Sequence, residues 1–366
     1  MNKKITVIVG ARPNFMKAAP VLNEIQKHPD SLSAFLIHTG QHYDHNLSKL
    51  FFEELGMPNP DLYLGVGSGS HAEQTAKIMV ELEKVMMKAR PDLVMVFGDV
   101  NSTLAGALVA SKLCVPLAHV EAGLRSFDKK MPEEINRMVA DCLADFLFVT
   151  EKSGTENLLR EGVSQKRILS VGNTMIDSLV GNLGKAQKSK ILDQLRFKPQ
   201  GYAVLTLHRP SNVDDITILS GLLEAISTIG RRIPVVFPCH PRTRKELNEF
   251  GLLDKIDKDA IRIVEPLGYL DFLKLQSESK FVLTDSGGIQ EETTYLGIPC
   301  ITLREYTERP ITSEVGTNVI TGINPDRIKS AANSILDGKM KESRIPELWD
   351  GKAASRIVEF IMGNRN

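Results

Sequence analysis

Residues 92–122 read DLVMVFGDVNSTLAGALVASKLCVPLAHVEA. An apolar run ends in Gly98-Asp99, a helical pattern (AGALVASKL) follows, and a second apolar run ends at Glu121. This is one strand–helix–strand step. Both runs are continuously apolar rather than alternating, which is the pattern of strands covered on both faces in a parallel sheet. Asp99 and Glu121 close successive strands of that step, so their carboxylates are expected at one edge of one sheet.

The same pattern repeats outward in both directions. Towards the N-terminus stand ITVIVG and AFLIHTG; beyond Glu121 come FLFVT and ILSVG, completing six runs in the first half. Six more follow: AVLTLHR, PVVFPCH, IRIVEPL, FVLTDSG, PCITLRE and NVITG. A chain of 366 residues exceeds one ordinary core. The expected fold is therefore α/β, with two doubly wound Rossmann-like domains, residues 1–170 and 171–351. The boundary falls at SVGNTMID, and a polar, lysine-rich stretch (GKAQKSKILDQLRFKPQGY) lies one helix later. Ligands of open parallel sheets sit beyond the carboxyl ends of the strands, so the active site is expected in the interdomain cleft.

Composition narrows the partners. The formal net charge is zero, which gives no global electrostatic case for nucleic acid or an acidic membrane surface. The apolar run Ile5–Gly10 is shorter than a signal-peptide core and reads as a first strand. No run reaches the roughly 18 apolar residues of a membrane span. The four cysteines are far apart, as for buried thiols in a reducing compartment, so a cytoplasmic location is expected. No HExxH and no Cys/His cluster points to a metal.

Polar residues just after strands are the functional candidates. Asp99 is either a helix N-cap or a chemical group, because Asp caps helices well. Glu121 has no evident capping role in VEAGLR. In MPEEINR, Pro132 followed by Glu133 and Glu134 is an ordinary helix start. Its nearness to Glu121 makes a carboxylate cluster conceivable, and crowded carboxylates raise one another's pKa towards proton-exchanging values. After the first strand, GARPNFMK carries Arg12 and Lys17, two cations suited to phosphate. GVGSGSH, from Gly65, lacks a strand leading into it and reads as a flexible loop. His208 and Arg209 end one strand of the second half, and His240 ends another; each histidine is either a phosphate or proton-transfer group or a structural one. In LTDSGGIQEE, a strand runs into the Gly287-Gly288 turn and a helix start that favours anions, with Glu291 and Glu292 close behind.

In order along almost the whole chain stand GARPNFMKAAP, TGQHYD, GDVNSTLAGALVA, HVEAGLRS, MPEEINR, VGNTMID, TLHRPSN, HPRT, EPLGYLDF, LTDSGGIQEE and CITLREYTERP. These blocks resemble the non-hydrolysing UDP-N-acetylglucosamine 2-epimerases. The resemblance implies a glycosyltransferase-B-like fold, a homodimer, and a final helix (about 352–366) that packs back on the first domain. It implies a UDP-sugar substrate and neither metal nor cofactor. The reaction it implies is exchange of UDP-GlcNAc and UDP-ManNAc by elimination of UDP and re-addition. Matched by motif, Asp99, Glu121, Glu133 and His208 are the catalytic positions. Arg12, Lys17, Arg209, His240 and Arg309 match substrate-facing cations. Phe272 matches the uracil-side aromatic, Ser286, Gly287 and Gly288 the phosphate turn, and Glu292 the acid on the ribose. Where many members read QHREML, this chain reads QHYDHN, with Tyr43 in place of Arg. That segment belongs to the allosteric site of those members. The segment between Arg125 and Pro132 is also shorter than in some of them.

Overall fold

The computed structural model describes residues 2–40, 52 and 54–363, without the side chains of Arg12 and Pro13. The QHYDHN segment lies outside the described residues. The chain divides into two compact units: Met1–Gly181 with Glu347–Asn366, and Asn182–Pro346.

Unit one holds a seven-stranded sheet of β1 (Lys3–Val9), β2 (Leu32–His38), β3 (Leu62–Tyr63), β4 (Leu93–Phe97), β5 (Leu117–Ala122), β6 (Phe146–Val149) and β7 (Ile168–Ser170). The order is β3-β2-β1-β4-β5-β6-β7, with every pairing parallel. The β4 and β5 runs are buried at every position, as continuous apolar strands require. One strand was not legible: β3 has two residues, paired with Ile37 and His38, and leaves no apolar run. The GVGSGSH string therefore does follow a strand. Its Ser70 accepts the Glu73 amide and Glu73 reaches back to the Ser70 amide, a capping box that starts helix His71–Ala89.

Helix Ala353–Gly363 belongs to unit one. Its first amides are capped by Asp177, which accepts from Ala353 N (3.1 Å) and Ala354 N (2.7 Å). Phe360 meets Phe146 and Phe148 edge-on, and Lys3 Nζ donates to the Ile361 carbonyl. Helix Thr174–Ala186, which carries Asp177, straddles the division at Gly181. Its first half stays with unit one through the Asp177 cap and a hydrogen bond from Ser178 Oγ to the Met16 carbonyl. Burial pushes the Asp177 carboxyl up, against the two amides that pull it down. Removing this cap with Asp177→Ala is expected to cost about 1–2 kcal/mol, measured by urea unfolding. An unchanged midpoint would show that side-chain packing alone seats the helix.

Unit two holds β8 (Ala203–Thr206), β9 (Val235–Pro238), β10 (Ile261–Val264), β11 (Val282–Thr284), β12 (Cys300–Thr302) and β13 (Asn318–Ile320). The order is β10-β9-β8-β11-β12-β13, again parallel throughout. The six expected strands are the six observed. In each sheet the strand order reverses once, between β1 and β4 and between β8 and β11. Ligand-binding crevices form at such switch points, outside the carboxyl ends of the strands.

Candidate active site

In unit one the switch point gathers Lys17, Asp99 and Glu121. Glu121 sits in β5 where the pairing register with β6 slips, and its φ is +73°. A non-glycine residue in that conformation is strained, and such strain persists only where the surroundings hold it. The Glu121 side chain is buried, with Oε1 2.6 Å from Lys17 Nζ. The neighbouring strand end leaves room for this pair: Gly98 has φ +59°, and a Cβ there would stand 2.6 Å from Lys17 Nζ. Lys17, matched above to a substrate-facing cation, is thus joined to a carboxylate from a distant part of the chain.

Asp99 does not cap the following helix. Helix Asn101–Lys112 has Val100 as its N-cap residue, with no side-chain cap bond. The Asp99 carboxylate instead accepts from Arg137 Nη2 (2.7 Å) and Nε (3.2 Å). Asn136 Nδ2 donates to the Asp99 carbonyl. Both partners project from helix Pro132–Leu143, whose first turn carries Glu133 and Glu134. The two glutamates divide their work. Glu134 is buried, pairs with Arg137, and accepts the amides of Ser126 (2.9 Å) and Phe127 (3.0 Å), so it clamps the loop before the helix. Glu133 is half-buried and makes no hydrogen bond or ion pair with another described residue. It is the carboxylate of this helix left to act outward.

In unit two the switch point gathers His208, Arg209, Asp285 and Ser286. His208 Nδ1 lies 2.8 Å from Asp285 Oδ1. Asp285 is fully buried, and its Oδ2 accepts the amides of His208 and Arg209, both at 2.9 Å. Burial alone would push the Asp285 carboxyl up. The hydrogen bond and charge of His208, with the two amides, more than offset this and hold it below its ordinary value. With Nδ1 committed to Asp285, Nε2 is the nitrogen His208 can offer to a ligand. The His208 and His240 rings lie 5.8 Å apart. His240 is also structural: it N-caps helix Pro241–Glu249, with Nδ1 accepting the Arg242 amide at 3.2 Å.

Ser286 is the N-cap residue of helix Gly287–Leu296. Its own amide donates to Thr284 Oγ1 (2.9 Å), so the outward donors of this turn are the amides at the helix start, Gly287 and Gly288. Arg309 lies over the turn: a Cβ at Gly287 would come 2.6 Å from its Nη1. Arg309 is expected from its motif as a substrate-facing cation. It is buried, with Nε 2.7 Å from Glu291 Oε1 and Nη1 3.8 Å from Glu308 Oε2. Glu291, which sequence left without a role, is its counter-charge. Glu292 faces elsewhere, accepting from Tyr269 Oη and Gln276 Nε2, both at 3.2 Å. Phe272 lies on helix Tyr269–Ser277 and packs partly buried against the core. Arg12 begins helix Arg12–Ile25, and its side chain is outside the described residues.

Sequence reading missed Arg137 and Asp285. A signal existed for Asp285, which stands just beyond a strand end, within two residues of it, as His208 and Asp99 do. Arg137 sits one helical turn beyond Glu133 and Glu134, and only the fold brings it to Asp99.

Two doubly wound sheets with polar groups gathered at each switch point define a two-domain α/β fold of the glycosyltransferase-B-like kind. The chain belongs to the UDP-N-acetylglucosamine 2-epimerase family, whose model matches residues 23–362. It is 44% identical to a UDP-N-acetylglucosamine 2-epimerase of Methanococcus maripaludis, covering 99% of both chains. It is 43% identical to a UDP-2,3-diacetamido-2,3-dideoxy-D-glucuronate 2-epimerase of Pseudomonas aeruginosa, over 98% of this chain and 99% of that one. Among solved structures, the UDP-GlcNAc 2-epimerase of Methanocaldococcus jannaschii, in complex with UDP-GlcNAc and UDP, superposes with a TM-score of 0.90. The identity there is 44%, over 99% of this chain and 100% of that one.

Proposed function

We propose that this chain is a non-hydrolysing epimerase that interconverts UDP-GlcNAc and UDP-ManNAc at sugar C2. The observation that carries the reading is the carboxylate set of unit one, Asp99, Glu121 and Glu133, on adjoining strand ends and the helix tied to them. A protein that only bound an anionic nucleotide would gain nothing from acids there.

The C2 hydrogen is not next to a carbonyl, so direct deprotonation is very hard. In the proposed route a base of unit one takes the C2 proton while the C1–O bond breaks and UDP leaves with the electron pair. The product is bound UDP and 2-acetamidoglucal, with a C1–C2 double bond. A proton then returns to the other face of C2, and a UDP phosphate oxygen re-adds at C1. Protons on two faces of one ring call for more than one acid/base group. Leaving-group charge calls for fixed donors and cations. The amides of Gly287 and Gly288 with Arg309 fit the phosphates, His208 and Arg209 the phosphate being released, and Glu292 the neutral ribose hydroxyls. Phe272 fits the uracil side. Arg12, Lys17 and His240 complete the substrate-facing set. A homodimer and a cytoplasmic location accompany this reading.

One incubation in D2O tests it. UDP-GlcNAc is expected to give both epimers still bearing UDP, with deuterium at C2 read by NMR and little free UDP. Bulk release of free ManNAc would refute the non-hydrolysing reaction. Transfer of the sugar to an acceptor would make the chain a glycosyltransferase. The same incubation with the UDP-2,3-diacetamido-uronate decides between substrates: faster C2 exchange there than with UDP-GlcNAc would reassign the sugar.

A further inference from the structure

Unit one holds a second set of charges, buried except for its outer member Glu161, that the proposed chemistry does not use. Asp141, on helix Pro132–Leu143, is its centre. Its Oδ1 is 2.7 Å from His119 Nδ1, and its Oδ2 accepts from Arg125 Nη1 (2.7 Å) and the Gly123 amide (3.1 Å). His119 Nε2 is 2.8 Å from the Gly98 carbonyl. A carbonyl only accepts, so Nε2 carries a hydrogen there. Arg125 in turn holds Glu161 with two bonds, from Nε (2.8 Å) and Nη2 (2.6 Å). Asp141, His119 and Arg125 are all buried. Burial pushes the Asp141 carboxyl up, but His119 and Arg125 more than offset it and hold it below its ordinary value. A buried charge set of this kind is weak evidence for stability, since apolar packing often serves as well.

Its connections point to another role. The Gly98 carbonyl precedes Asp99 directly, and the Gly123 amide is two residues beyond Glu121. Asn157 Nδ2 donates to the Gly123 carbonyl (3.0 Å), and the Gly98 amide donates to the Val120 carbonyl (3.0 Å). The backbone on both sides of the strained Glu121 is therefore pinned. Asp141 itself stands on the helix whose first turn carries Glu133. We infer that Asp141, with His119 and Arg125, is a positioning hub that fixes Asp99 and Glu121 relative to Glu133 for proton transfer. The inference rests on the proposed epimerisation. A displacement of about 1 Å at reacting groups can cost about 100-fold in rate without touching binding.

The two nitrogens of His119 allow a controlled test. His119→Gln puts an amide donor near the Nε2 position, keeping the link to Gly98 and losing that to Asp141, whereas His119→Asn puts it near Nδ1, keeping Asp141 and losing Gly98. With UDP-GlcNAc, His119→Asn and His119→Gln are each expected to lose about tenfold or more in kcat with KM within about twofold. Hydrogen exchange is expected to quicken at the Gly98 amide in His119→Asn, which releases the Gly98 carbonyl, and at the Gly123 amide in His119→Gln, which releases Asp141. Wild-type kcat in either variant, or a loss that appears in KM, would overturn the hub. The exchange measurement needs no substrate. If the wild type fails to epimerise, the function is refuted and exchange alone decides the hub, with unchanged exchange in both variants overturning it. Should neither histidine variant fold, Glu161→Gln remains, at a side chain 38% exposed. It frees one end of Arg125, and an unchanged kcat there overturns the inference; a fall of about threefold at constant KM upholds it.

Discussion

Glu121→Gln is expected to reduce turnover by about 100-fold or more, the scale on which a positioned acid/base group contributes. It is also expected to destabilise unit one. Lys17 Nζ stands 2.6 Å from Glu121, with side-chain exposures of 5% and 2%. Removing one partner of a buried pair leaves the other charge uncompensated, at about 3–5 kcal/mol. Lys17→Met should cost a similar amount for the mirror reason. The double variant Glu121→Gln/Lys17→Met removes both charges, so its stability should return most of the way to wild type. Its turnover should not. Urea unfolding of the four proteins, alongside C2 deuterium incorporation, separates the two effects. A double variant as unstable as the sum of the singles would mean that the pair is not coupled. Full turnover in either Gln-bearing protein would remove Glu121 from the proton transfers.

The second large effect is expected at Asp285. Asp285→Asn keeps the volume of a fully buried side chain but sets an amide among donors: the His208 and Arg209 amides and His208 Nδ1. Orientation of the His208 ring is lost with the carboxylate. Turnover is expected to fall by about 100-fold to 10,000-fold, as when a carboxylate that orients a catalytic histidine is replaced. Stability carries a pH signature with a definite sign. The Asp285 carboxyl lies below its ordinary 3.8 in the folded protein. Its contribution is therefore fully present above the unfolded value and is lost as pH falls through the folded one. The stability gap between wild type and Asp285→Asn should be constant at neutral pH and should narrow on acidification below 3.8. A gap that widens on acidification would reverse the assignment of an ionised Asp285 held by its partners.

The fold and the positions of the site groups were largely legible because strands buried on both faces leave unbroken apolar runs. Asp99, Glu121, His208 and Ser286 could be placed at strand ends from sequence alone. Pairings across the chain could not. Lys17 meets Glu121, and Arg137 meets Asp99, only because the sheet brings distant segments together, and no local pattern encodes such a meeting. The same applies to Arg309 and Glu291: an Arg in TERP and an acid after a Gly-Gly turn read as independent charges until the helix start and the β12–β13 region pack against each other. Glu133 and Glu134 are adjacent and identical in type, so only the helix direction tells the loop clamp from the outward carboxylate. Short elements were lost for a different reason, since β3 contains too few residues to show a period.

Helix Ala353–Gly363 bears on how the protein is made. Unit one takes its first strand from residues 3–9 and its docking helix from residues 353–363, joined by Lys3 Nζ and the Ile361 carbonyl. On the ribosome, residues 182–346 are translated between those two parts. At about 5–20 residues per second, the surface that receives the helix stays uncovered for on the order of ten seconds. During that interval the Asp177 carboxylate waits for the amides it will cap, and the apolar faces of Phe146 and Phe148 are open to chaperones or to other nascent chains. Unit two has no such dependence, because its strands are contiguous in the chain. The order of completion is thus second unit first, an inversion of the order of synthesis.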